Sequence, residues 1–157
     1  YNGKVRKPTV KVKDSRGKTI SSAYYSVSYS TGCKNVGKYN VTVKFKDVYS
    51  DFKSITKTFT INPKSTSVSK LSAGSKKFTV KWKKLTTQTT GYQIQYSTSK
   101  KFSGAKTVTV KKNSTTSSTV KKLKAKKTYY VRVRTYKTVS GKKYYSSWSK
   151  AKSIKTK

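Results

Sequence analysis

Hydrophobic and polar residues alternate most clearly along residues 129–134 of the chain. Tyr129, Val131 and Val133 fall on one face, and the residues between them fall on the other. A period of two is typical of a β-strand with one buried face and one face in water. Similar alternation recurs between turn residues along the chain, and no segment shows the 3.6-residue period of a helix. The pattern therefore predicts an all-β protein.

The first part of the chain, residues 1–62, contains four predicted strands. They lie around residues 10–12, 25–29, 39–45 and 59–61, with turns at 14–17 and near Gly32. Pro63 has no backbone N–H to donate to a strand ladder, so we place a domain boundary there. The predicted domains are residues 1–62 and 63–157.

The second part contains seven predicted strands, a number and size typical of a β-sandwich. They include 78–82, 92–96, 107–110, 120–123 and 129–133, with a turn at 140–142 and a last strand that contains Trp148 and Ile154. We expect the core to include these inward-facing residues: Trp82, Tyr92, Ile94, Tyr96, Leu123, Tyr129, Val131 and Val133.

Several segments of the second part are similar to the fibronectin type III family. Leu123 lies six residues before Tyr129, as in the tyrosine corner of that family, although Ala125 stands where proline is usual. The sequences Gly91-Tyr92-Gln93-Ile94-Gln95-Tyr96 and Ser147-Trp148-Ser149 extend the resemblance. It implies a sandwich in which the Tyr129 hydroxyl bonds to the backbone near residues 123–126.

The first part resembles the small immunoglobulin-like modules of large bacterial surface proteins. The resemblance is carried by Tyr1-Asn2-Gly3-Lys4, Tyr25-Ser26-Val27-Ser28-Tyr29, Asn35-Val36-Gly37 and Lys57-Thr58-Phe59-Thr60-Ile61. In that family a strand precedes the Tyr-Asn-Gly sequence, so this domain is expected to lack its first strand. The predicted fold is thus two tandem antiparallel β-sandwiches, immunoglobulin-like and then fibronectin type III.

Charge is the most unusual feature of the composition. The 157 residues include 39 Lys and Arg against 3 acidic residues, a net charge of +36, while only 32% are hydrophobic. Residues 1–62 carry +10 and residues 63–157 carry +26, with no acidic residue in the second part. All but four of the basic residues are lysines, which act as point charges and suit diffuse attraction to a flexible polyanion. An alternative is that this is a solvated surface without a dedicated partner.

The residue inventory argues against an enzyme. There is no His or Glu, and the only acids are Asp14, Asp47 and Asp51, so general acid–base chemistry and a serine triad lack their usual groups. Asp47 and Asp51 could share a calcium ion, but solvated turn acids are more common. The single Cys33 permits no internal disulfide, and strand lysines are expected to face outward rather than to act as buried nucleophiles. We therefore predict no catalytic, metal or cofactor site.

Two functions remain. The first is a non-catalytic extracellular or cell-surface module (a stalk, adhesin or cell-wall association unit) of a larger protein, monomeric, without a membrane span, and attracted to an anionic wall polymer or acidic glycan. The second, less favoured, is a nucleic-acid-binding protein that stacks bases on aromatic rings beside basic residues. The candidate polyanion-binding residues are Lys81, Lys83, Tyr130, Arg132, Arg134, Lys142 and Lys143.

Overall fold

The computed structural model describes all 157 residues and divides them into two compact units, Tyr1–Ile61 and Asn62–Lys157. Both are built from antiparallel strands. The only helices are two three-residue 3₁₀ turns, Ser22–Tyr24 and Asp47–Tyr49, and no helix is long and apolar enough to cross a membrane. The expectation of an all-β chain without a helical period is confirmed.

The first unit contains one three-stranded sheet. Its strands, in the order β1-β2-β3, are β1 (Tyr25–Tyr29), β2 (Gly37–Phe45) and β3 (Ile55–Ile61). The register places the alternating apolar residues of neighbouring strands opposite each other, for example Val27 against Val43. One face of the sheet is therefore apolar, and the other is rich in serine, threonine and lysine.

The strand predicted around residues 10–12 is not found, and neither is the second sheet that a sandwich would require. Residues 1–20 form only an isolated bridge, between Lys13 and Thr19, and contact the sheet through bonds such as Tyr29 Oη to the Pro8 carbonyl, at 2.5 Å. Val10 and Val12 have no partner strand in the sheet, and alternation by itself does not supply one. The unit is thus a single sheet covered by an irregular segment, not the two-sheet sandwich expected there.

The second unit is a sandwich of two sheets. The strands are β4 (Val68–Gly74), β5 (Lys77–Trp82), β6 (Gly91–Ser97), β7 (Lys106–Val110), β8 (Ser117–Val120), β9 (Thr128–Val139), β10 (Lys142–Tyr145) and β11 (Lys152–Lys155). One sheet has the order β4-β5-β8. The other has the order β10-β9-β6-β7, with β11 also paired to β9.

Eight strands replace the seven expected, because the predicted last strand is split. β10 pairs with the C-terminal half of β9 and β11 with its N-terminal half. Trp148 lies in the segment between them rather than in a strand. Leu123 likewise lies beyond the end of β8, in the loop that leads to β9.

The core lies between the two sheets. Phe78, Val80, Tyr92, Ile94 and Val131 are fully buried. The expected core residues Trp82, Tyr129 and Val133 are buried as well, and Tyr96 and Leu123 are partly buried against them. Tyr129 is 7% exposed, and its hydroxyl accepts a hydrogen bond from the Lys124 N–H at 3.1 Å, which is the geometry that the tyrosine-corner resemblance implies.

Not every strand lysine faces outward, contrary to expectation. Lys57, Lys106 and Lys152 stand directly opposite Val41, Tyr96 and Val131, so each shares a face with core residues. All three lie at edge strands and remain exposed to solvent. The apolar face at an edge is close enough to water for a lysine to keep its ammonium group hydrated.

Candidate functional site

The outer face of the five-stranded sheet carries a row of stacked cations and aromatic rings. Arg132 and Arg134 project outward from β9, directly opposite Gln95 and Gln93 of β6. Arg132 Nε donates to Gln95 Oε1 at 2.8 Å, while Arg134 Nε and Nη2 donate to Gln93 Oε1 at 2.9 and 2.7 Å. These bonds attach each guanidinium group to the neighbouring strand β6.

Each guanidinium group lies over two aromatic rings. The Arg132 guanidinium carbon is 3.9 Å from the Phe102 ring centre and 4.9 Å from that of Trp148. The Arg134 carbon is 4.2 Å from the Trp148 ring centre and 4.0 Å from that of Tyr145. Trp148 therefore interacts with both cations.

The row continues along β10. The Tyr145 ring is 6.1 Å from that of Tyr136, and Lys143 Nζ is 5.4 Å from the Tyr136 ring centre. We name these seven residues the cation–aromatic ladder: Phe102, Arg132, Trp148, Arg134, Tyr145, Tyr136 and Lys143. Each cation–π contact contributes roughly 0.5–2 kcal/mol, depending on how far it is withdrawn from water.

Two serines place Trp148 in the ladder. The Ser149 N–H donates to the Val133 carbonyl at 2.8 Å, and Ser149 Oγ accepts from the Val133 N–H at 3.0 Å. Ser146 makes the same pair of bonds with Thr135, each at 3.1 Å. The segment between β10 and β11 is thus attached to β9 by serine side chains as well as by backbone. These bonds flank Trp148 in the chain and position its ring over the arginines.

The ladder has no anionic partner within its own unit. Residues 62–157 contain no Asp or Glu. Burial lowers the pKa of the Arg132 guanidinium, and burial with the neighbouring Arg132 charge lowers the pKa of Arg134, although Tyr145 acts in the opposite direction. Burial, followed by Tyr145, raises the pKa of Tyr136. The arginines remain cationic at neutral pH, and the rings and glutamines take the place of a counter-ion.

The structure separates the residues that the sequence grouped as candidates. Arg132, Arg134 and Lys143 lie in the ladder, and Tyr130 lies on the same face of β9 nearer its start. Lys142 lies on the opposite face of β10, with Nζ 5.9 Å from the Tyr144 ring centre. Lys81 is exposed on β5 of the other sheet, and Lys83 follows the end of that strand. The candidates therefore form no single site.

Sequence reasoning missed Phe102 and the role of Trp148 as the shared ring. Phe102 lies in the β6–β7 loop with a φ of 61°, a left-handed conformation that alternation does not reveal. The sequence did contain one signal for the ladder. Gln93 and Gln95 alternate outward on one predicted strand and Arg132 and Arg134 on another, and directly opposed residues of antiparallel strands interact.

No group of three or more His, Cys, Asp or Glu residues lies together in a way that could hold a metal ion. Cys33 is buried at 4% exposure in the turn expected for it, and its Sγ lies 2.9 Å from the Ser30 carbonyl oxygen. This contact makes Cys33 part of the first unit's interior.

Comparisons with known proteins agree with the fold of the second unit. The FN1–FN3 domains of chicken CNTN1 are 26% identical over 78% of this chain, with a TM-score of 0.53, and the chain spans 43% of that structure. The fn3 domain of human contactin 1 is 19% identical over 62% of this chain and 81% of its own, with a TM-score of 0.53, which shows the fold alone. No curated protein sequence matches the chain. The model of the fibronectin type III domain family matches residues 61–152, and the chain therefore belongs to the fibronectin type III family.

Proposed function

We propose that the chain is a non-catalytic module of a larger extracellular or cell-surface protein and that its second unit attracts anionic polymers. Fibronectin type III domains are generally structural or binding modules without enzymatic activity. In this proposal residues 1–62 are a bacterial immunoglobulin-like domain, residues 63–157 the fibronectin type III domain, and the pair acts as a stalk, adhesin or wall-association unit.

The observation that carries the proposal is the charge of the second unit. It has 26 Lys and Arg and no acid, so no carboxylate side chain within the unit can neutralise any of its cations. Lys70 and Lys81 stand directly opposite each other on β4 and β5, a like-charge pair that destabilises the sheet unless an anion or salt screens it. A bound polyanion would remove this repulsion along the whole unit.

The ladder argues against the nucleic-acid alternative. Both contacts of Trp148 with guanidinium groups use its ring, as does the contact of Tyr145 with Arg134. A nucleobase that stacked on a ring face covered by an arginine would have to displace that arginine, at the cost of the cation–π contact. The ladder is better explained as a stabilising feature of the sheet, and the exposed lysines as the polyanion-binding groups.

Chromatography of the full chain and of residues 62–157 on immobilised heparin and on a poly(glycerol phosphate) wall polymer tests the proposal. We expect both to be retained at about 150 mM NaCl and eluted by higher salt, with residues 1–61 eluting earlier because that unit carries +10 rather than +26. A fibronectin type III domain of near-zero net charge is the control. Flow-through of the full chain at that salt concentration, or equal retention of the two units, would contradict the proposal.

A further inference from the structure

A cleft of about 510 Å³ opens at one end of the second unit's sandwich. The β6–β7 loop lines one side, and the loop between β8 and β9 lines the other, with the Tyr96 and Tyr129 side chains between them. Four lysines also line it: Lys106, Lys122, Lys124 and Lys127. None of these four belongs to the ladder, which lies on the outer face of one sheet.

Register explains why Lys106 faces this cleft. It is the first residue of β7 and stands directly opposite Tyr96 of β6. It therefore shares a face with Tyr96, Val108 and Val110, the face that packs on the core. Lys106 is exposed to solvent and lines the cleft beside Tyr96.

The loop that supplies the other three lysines is held in place by buried groups. Tyr129 Oη accepts from the Lys124 N–H. The hydroxyl of Thr156, a residue only 3% exposed, donates to the Lys124 carbonyl at 2.7 Å and accepts from the Lys127 N–H at 3.1 Å. The Leu123 N–H also donates to the Lys76 carbonyl at 2.9 Å. The backbone of this loop is therefore ordered before any ligand arrives.

The opposite wall is ordered in a similar way. Ser97 is 6% exposed, and its Oγ donates to the Ser103 carbonyl at 2.7 Å while it accepts from the Ser99 N–H at 3.0 Å. These bonds close the β6–β7 loop, which also carries Thr98 and Gly104 at the cleft. The four lysines on these two walls have no acidic side chain within the unit to neutralise them, so they repel one another in the free protein.

We propose that this cleft is a specific oxyanion site that takes the sulfate or phosphate groups of an anionic saccharide or polyol phosphate. The inference rests on the proposed function and specifies where on the second unit the anionic groups bind. Lysine ammonium groups bind tetrahedral oxyanions as point charges, without the planar geometry that arginine imposes. Sulfate and phosphate esters are therefore equally suitable ligands. Because the backbone of both walls is ordered, binding costs mainly the rotamer freedom of the lysine side chains, and the cleft differs from the outer faces in bringing four lysines together at one place. Burial, and secondarily Tyr129, raises the pKa of the Tyr96 phenol at this cleft.

Paired charge-neutralising variants of the full chain test the proposal. K106Q/K124Q removes one lysine from each wall of the cleft, and K111Q/K112Q, the matched control, removes two exposed lysines that follow β7 and do not line the cleft. Each protein is titrated with a heparin hexasaccharide and with a short glycerol phosphate oligomer at about 150 mM NaCl, and Kd is measured by calorimetry. We expect K106Q/K124Q to weaken binding by at least about fivefold and the control by less than about twofold.

Backbone amide shifts provide a second readout. On addition of either oligomer, the amides of Ser97, Gly104 and Lys127 should shift in the unmodified protein and in K111Q/K112Q, but much less in K106Q/K124Q. If the two variants weaken oligomer binding equally and the amide shifts spread over the whole unit, the proposal of a specific oxyanion site in the cleft is wrong. The proposal of diffuse polyanion attraction would still stand. Absence of binding by the unmodified chain would overturn both the cleft and the proposed function. Localised binding of only one oligomer would support the cleft and identify sulfate or phosphate as the source of the oxyanion.

Discussion

At the scale of single residues, two side-chain positions in the second unit have no spare room. Tyr129 occupies the core while its hydroxyl holds the β8–β9 loop, and Gly91 lies where a β-carbon would be 2.1 Å from the Val110 carbonyl oxygen and 2.9 Å from Tyr136 Oη. The first position requires a polar tip on a large ring, and the second requires no side chain at all. Each requirement is set by the folded surroundings of the residue.

Tyr129→Phe should lower the free energy of unfolding by about 1 kcal/mol, because it removes the acceptor for the Lys124 N–H and keeps the ring. Urea unfolding followed by tryptophan fluorescence measures the change, since both tryptophans lie in the second unit. Tyr130→Phe is the matched control on the partly exposed face and should change stability by less than about 0.5 kcal/mol. Equal effects would contradict the role assigned to the Tyr129 hydroxyl.

Gly91→Ala should destabilise the second unit by about 3 kcal/mol, because the added carbon overlaps backbone that cannot move without breaking β6–β7 pairing. Gly74→Ala is the control: there the added carbon meets only the flexible side chain of Lys77. Thermal unfolding of both variants measures the difference. A melting temperature for Gly91→Ala as high as for Gly74→Ala would show that β7 can shift to accommodate a side chain.

At the scale of elements, β9 organises the second unit. Its inner face supplies Tyr129, Val131 and Val133 to the core, and its outer face supplies the two arginines of the ladder. Both β10 and β11 pair with it on one edge and β6 on the other. The ladder thus joins β9 to β6 through glutamines and to the β10–β11 segment through Trp148.

A double-mutant cycle on Arg134 and Trp148 should show a coupling free energy of about 1 kcal/mol, because the guanidinium carbon is 4.2 Å from the ring centre. The cycle uses R134Q, W148L and the double variant, each unfolded in urea. A second cycle with K81Q in place of R134Q should give a coupling near zero, because β5 belongs to the other sheet. Similar coupling in the two cycles would mean that Trp148 acts on general stability and not on the guanidinium.

At the scale of the whole molecule, the distribution of ionisable groups separates the two units. The three acids, Asp14, Asp47 and Asp51, all lie in the first unit, and no histidine occurs anywhere. Side chains of the second unit are therefore limited to groups that titrate in the alkaline range. Its stability should depend on salt far more than on acidity.

The urea midpoint of the second unit, followed by tryptophan fluorescence at constant ionic strength, should stay constant between about pH 4 and pH 8. No side chain in residues 62–157 takes up a proton in this range, so folded and unfolded states bind equal numbers of protons and the slope of stability with pH is zero. A globular domain with ordinary carboxylates, unfolded under the same conditions, is the control and should lose stability on acidification. A falling midpoint for this unit would indicate that its stability depends on the Asp-containing first unit.

The sequence by itself determined the elements whose evidence is local. Period-two alternation located β1, β2 and β9, and the Leu123–Tyr129 spacing located the tyrosine corner. Both could be predicted because the two faces of a strand and the short loop of the corner depend on residues that are close together in the sequence. Charge and the lack of histidine and glutamate are likewise properties of composition. Composition alone argues against acid–base catalysis in the second unit, because its residues include no carboxylate or imidazole side chain.

Only the tertiary structure decided which cations share a surface. Arg132 and Lys81 alternate in the same way along their strands. Arg132 nevertheless lies over one ring of a loop and one ring of the β10–β11 segment, while Lys81 is exposed on the other sheet. The cleft around Lys106 depends on the register of β7 against β6 and on loops held by Thr156 and Ser97. The hydrophobic pattern also could not predict that the first unit has a single sheet. Strand formation at Val10 and Val12 requires a partner strand, and local alternation does not specify one. Long-range pairing, rather than local preference, sets all three.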